Sequence, residues 1–134
     1  APLVPGPASP LVVSVYVDDN GVAGALLVTD VAASAGIAAA LTLMPAGAVN
    51  EAVRMGELDE NLLENWDEIA NICTQTVRLA GFPVFKLKGT IQSSTGLTPE
   101  VETLISSAPY QVGWSVQVPG FSNGKISIFM AEPP

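Results

Sequence analysis

Between Asp30 and Glu51 the chain runs for twenty residues, Val31 to Asn50, without a charge, and eight of them are alanine. Such a stretch must leave water. It can do so across a bilayer, which takes about 20 predominantly apolar residues, or against the rest of the chain. Ser34, Gly36, Thr42, Pro45 and Gly47 dilute the run, and acids flank it where a membrane span carries Lys or Arg. Nor does it stand at the N-terminus like a secretory signal. The segment reads as a buried helix from Val31 to about Leu43, with Thr29 and Asp30 as its cap and Pro45 and Gly47 as its breakers.

The remaining composition agrees with extensive burial. Of 134 residues, 49% are hydrophobic and 13% charged, against roughly 25% charged in an ordinary soluble domain. Thirteen acids against five bases give a net charge of −8, and Arg54, Arg78, Lys86, Lys88 and Lys125 form no cluster. A surface of that sign repels phosphate backbones and anionic headgroups, so neither nucleic acid nor a membrane is expected as a partner. Histidine is absent, which removes Ser-His-Asp and Cys-His triads and imidazole metal sites. A single cysteine, Cys73, excludes an intramolecular disulfide and any CxxC pair and fits a reducing, cytoplasmic compartment.

Four prolines in residues 1–10 make an extended lead-in, and residues 11–134 read as one domain. Leu11 to Val17 alternates as a half-buried strand, and Val22 to Val28 pairs back across Asp18-Asp19-Asn20-Gly21, where Asn-Gly suits a type I′ turn. The acidic turn lacks the later ligands of a calcium loop. Glu51 to Met55 reads as a short turn. A long helix then starts at a capping Asp59 and ends at Gly81, its core face formed by Leu62, Trp66, Ile69, Cys73, Val77 and Ala80 and widened by Leu63, Ala70 and Ile72. Strands are expected at Phe82–Thr90, Tyr110–Val118 and Lys125–Met130. Thr98-Pro99-Glu100 opens a short helix to about Ser106. The order defines an α+β fold: a mostly antiparallel sheet with two longer helices and one short helix packed on it.

The long helix carries a second stripe, Glu64, Glu68, Asn71, Gln75 and Arg78, whose steps of 4, 3, 4 and 3 align all five opposite the core. Ordinary amphipathicity explains a polar face. Two like charges one turn apart and an asparagine in a helix interior are nevertheless unfavourable choices for solubility alone.

The run Leu58 to Ile72, LDENLLENWDEIANI, resembles the signature helix of the CheC/CheX family of chemotaxis phosphatases, whose pattern is [D/S]-x-x-x-E-x-x-N. The resemblance places Glu68 and Asn71 at the Glu and Asn, and Glu64 at the preceding acid. It covers roughly Leu11 to Ser94, and the single E-x-x-N is similar to the CheX kind. Gln75 stands where a glycine is common. The resemblance implies a protein aspartyl-phosphatase acting on a phosphorylated CheY-like response regulator, with Mg²⁺ held by the regulator and no cofactor or metal bound by this chain. In that scheme Asn71 orients the attacking water, Glu68 docks on a regulator lysine, and Glu64 and Gln75 add partner contacts. The alternative implied is a non-catalytic scaffold or regulator-binding module on the same fold. A homodimer through exposed sheet edges is expected in either case.

Overall fold

The computed structural model describes residues 10–79, 86–92, 96–117 and 124–130, with the side chains of 75–79 left aside. Five strands form one antiparallel sheet: β1 (Leu11–Val17), β2 (Ala23–Asp30), β3 (Lys86–Gln92), β4 (Tyr110–Val116) and β5 (Gly124–Met130), in the order β3-β1-β2-β5-β4. The helices are α1 (Val31–Thr42), α2 (Ala46–Met55), α3 (Glu60–Leu79) and α4 (Pro99–Ser107). The fold is α+β, as the order of elements implies. The lead-in prolines before Pro10 and the turn expected from Pro119 lie outside the described residues except at Gly124, as do Phe82 to Val84 and Gly81.

The β1–β2 hairpin keeps Leu11 opposite Asp30, with an irregularity at Tyr16/Val17. Its turn differs from the type I′ expectation. Of its central residues only Gly21 has positive φ (+77°), Gly21 N–H donates to Asp18 O at 3.0 Å, and the Asp18 carboxylate accepts from Asn20 N and Val22 N. The aspartate side chain holds the turn closed, so Asn20 need not enter the left-handed region.

Alternation sorts the strands onto two faces. Leu11, Val13, Val15, Leu26, Val28 and Phe129 pack with Val101, Ile105 and Ala108 of α4. The opposite face, with Val12 at its centre, meets α1, α2 and α3 through Ala35, Ala38, Val49, Leu62 and Trp66. Helix α4 begins as expected, with Thr98 Oγ1 accepting from Val101 N at 3.3 Å and Pro99 in the first turn.

The alanine-rich run is buried helix from Val31, but its end departs from expectation. Helix α1 stops at Leu43, which adopts the left-handed conformation (φ 58°) and stands 93% exposed. Pro45 then caps a second helix, α2, in which Gly47 is an ordinary helical residue. The predicted short turn at Glu51 to Met55 is the second half of α2. Proline's missing N–H costs nothing at a helix start, so Pro45 opens a helix here.

Asp30 joins three elements. It ends β2, its Oδ1 accepts from Ala33 N at 2.8 Å to cap α1, and its Oδ2 accepts from Lys125 N at 3.1 Å on β5. Gly124 makes that approach possible, because a Cβ there would lie 2.5 Å from Ala33 N.

Candidate functional site

Helix α3 carries the polar stripe, and its position is set by four buried polar contacts on its other side. Trp66 Nε1 donates to Ser14 Oγ at 3.0 Å, and Ser14 Oγ in turn shares a hydrogen bond with Thr90 Oγ1 at 2.8 Å. Tyr16 Oη donates to Ala70 O at 2.7 Å. Ahead of the helix, the Gln92 amide accepts from Leu58 N at 2.7 Å and donates to Leu58 O at 3.2 Å, so β3 holds the approach to α3 as a strand holds a neighbour. Asp59 caps the helix through Leu62 N at 2.9 Å, as its acidic side chain and position predict. Trp66 is 1% exposed, confirming it as core. Burial, with lesser contributions from Cys73 and Asp67, pushes the Tyr16 phenol above its ordinary 10.0.

The helix's inner line is Leu62, Trp66, Ala70 and Thr74, all buried, with Leu63 and Ile69 half-buried at its flanks. Two assignments to the core face are corrected: Ile72 is 58% exposed and Cys73 is exposed. Successive steps of four drift around the helix, so contact with β1 and β3 follows 62-66-70-74, and the parallel line through 69 and 73 turns outward. Partial packing around the sulfur still raises the Cys73 thiol above its ordinary 9.0, opposite to the shift that makes a nucleophile. Val77 belongs to the side chains left aside, and Ala80 lies outside the described residues.

Glu64, Glu68 and Asn71 are all exposed on the solvent side of α3. From Glu64 to Asn71 the helix rises about 10 Å. Gln75 and Arg78 continue the stripe in the backbone, with side chains outside the described set.

Beside the stripe runs an open groove of about 740 Å³. Leu41, Ile69 and Ile72 supply apolar walls, and Glu64, Asp67 and Glu68 supply acids. Asn65 fixes the groove's other bank by donating to Thr42 Oγ1 at 3.3 Å and contacting Met44 Sδ, which ties the end of α1 to α3. Leu41 is 68% exposed. Asp67 Oδ1 is shielded from solvent with no hydrogen-bond partner among the described residues. Sequence reasoning missed Leu41, Asp67 and Ile72 as groove residues. The available signal was Ile72 beside Asn71, on a turn where the helix is otherwise polar.

Among the described residues no group of three or more His, Cys, Asp or Glu could hold a metal ion. No helix among them is long and apolar enough to cross a membrane. No family model matches the chain, and no significant match was found among curated proteins or solved structures.

Proposed function

We propose that this chain is a CheX-like phosphatase that hydrolyses the phosphoaspartate of a CheY-like response regulator. The observation that supports it is the joint exposure of Glu64, Glu68 and Asn71 on a helix fastened from behind by Trp66 and Tyr16. A rigid helix can enter a regulator's active site without rearranging.

An acyl phosphate is hydrolysed when water attacks phosphorus and the P–O bond to the aspartate breaks, releasing inorganic phosphate and the free carboxylate. The regulator contributes the aspartate, a Mg²⁺ ion on its own carboxylates and a lysine. Glu68 pairs with that lysine in a charge-assisted hydrogen bond and sets the helix in register. Asn71, one turn on, accepts a hydrogen bond from the attacking water and orients it, with no proton transfer to the amide required. Glu64 makes an outer contact with the regulator, and Gln75 is assigned a further one. The work needs neither histidine nor a cysteine nucleophile, and its setting is the cytoplasm, where response regulators act.

A second reading is favoured by the groove: a module that binds the regulator without hydrolysing its phosphate. Leu41 and Ile72 give it apolar contact area beyond what an inserted Glu–Asn pair uses.

The deciding assay follows loss of phosphate from a ³²P-labelled CheY-like regulator with Mg²⁺. Acceleration that falls at least about tenfold in Asn71→Ala is expected, the usual scale for a positioned catalytic group being 10²–10⁴-fold. Glu68→Ala is expected to weaken binding as well as turnover. Binding without acceleration selects the second reading, and neither binding nor acceleration refutes both.

A further inference from the structure

The two edges of the sheet are treated in opposite ways. At one edge, β3 carries exposed Lys86 and Lys88, and its pairing with β1 is broken between Val15 and Tyr16, where Gly89 adopts φ +152°. Charge and a kink are the ordinary means by which a sheet edge refuses another strand. At the other edge, β4 reads YQVGWSV, with no charge, no proline and unbroken register against β5 from Tyr110↔Met130 to Val116↔Gly124. Among the described residues nothing pairs with its outer side.

Its side chains are equally unprotected. Residues 110–115 are all exposed, and Tyr110, Val112 and Trp114 stand 41%, 46% and 52% exposed. Register puts these three opposite Met130, Ile128 and Ile126, on the sheet face that α1–α3 cover farther in. An isolated apolar strand edge on a chain of net charge −8 is a place where a second acidic copy can approach without charge meeting charge.

We propose that β4 pairs with β4 of a second copy, antiparallel about a two-fold axis at Gly113, making one ten-stranded sheet. Centring on Gly113 uses all seven residues and forms roughly six to eight backbone hydrogen bonds. It sets Val112 opposite Trp114 of the partner subunit and Tyr110 opposite Val116 of the partner subunit, aromatic against β-branched. Because every such pair joins even-numbered positions, the apolar strips of both copies fall on one face and merge. A shift by one residue would set Trp114 against the polar face, so the register is specified. The axis lies at the edge remote from α3, which rests on β1 and β3, and it leaves Glu64, Glu68 and Asn71 uncovered. The pairing does not depend on the phosphatase reading.

Sedimentation of the intact chain across roughly 1–100 µM tests it. A mass of two chains is expected, and Val112→Lys is expected to raise the dissociation constant at least about tenfold by placing charge within the joint apolar strip. If circular dichroism shows that variant unfolded, Gly113→Cys in a Cys73→Ser background decides. The two-fold axis puts the new thiols opposite each other, so mild oxidation cross-links the dimer. Lys88→Cys in the same background stays uncross-linked. A monomer throughout, or a dimer that survives Val112→Lys and leaves Gly113→Cys uncross-linked, overturns the proposal.

Discussion

Replacing Gly124 with alanine places a methyl group where the first turn of α1 already stands. The added Cβ would lie 2.5 Å from Ala33 N, 2.6 Å from Ala33 Cβ and 2.7 Å from Ala33 Cα. Carbon contacts settle at about 3.5–4.0 Å, so β5 and α1 must part by about 1 Å. The atoms in the way are backbone, and no side-chain rotation relieves them. Separation also pulls on Asp30, whose two oxygens hold Ala33 N at 2.8 Å and Lys125 N at 3.1 Å. Overpacking costs about 1–3 kcal/mol, and a strained N-cap adds about 1 kcal/mol. The sum is about 2–4 kcal/mol, which for a chain of this length lowers Tm by roughly 8–16 °C. Thermal unfolding followed by circular dichroism measures it. Gly47→Ala is the control: nothing lies within 4 Å of its added Cβ, and it should stabilise α2 by up to about 0.5 kcal/mol. A Gly124→Ala protein as stable as the parent would refute the close approach of β5 to α1.

Tyr16→Phe removes the 2.7 Å bond to Ala70 O and should cost about 1–2 kcal/mol in urea unfolding near neutrality. Burial raises the Tyr16 phenol above 10.0, so the folded state keeps a proton that the unfolded chain loses. Stability therefore declines as pH rises above the unfolded value of about 10; the phenylalanine variant should lack this part of the slope, and an unchanged slope would contradict it. Gln92→Leu leaves Leu58 N and O without the amide that bridges them and should destabilise by about 2–4 kcal/mol by chemical denaturation. Leu43→Gly relieves a left-handed leucine at the end of α1 and should stabilise by up to about 1 kcal/mol in the same measurement.

Much of the chain was legible locally because its signals act within a few residues. Alternating β-branched residues in β1, the caps at Asp30, Asp59 and Thr98, and the proline opening α4 need no distant partner to do their work. The exposed stripe Glu64, Glu68 and Asn71 was visible too, since helical period alone puts those positions on one line. Tertiary structure decided the rest. Ile72 and Cys73 look like core residues by spacing, yet the surface available to α3 follows the line from Leu62 to Thr74. Tyr110, Val112 and Trp114 look like an ordinary half-buried strand, and only the sheet order shows them at an edge that the helices leave uncovered. Periodicity says which way a side chain points; how far the opposing layer extends depends on elements remote in sequence, and so does whether that side chain meets protein or water.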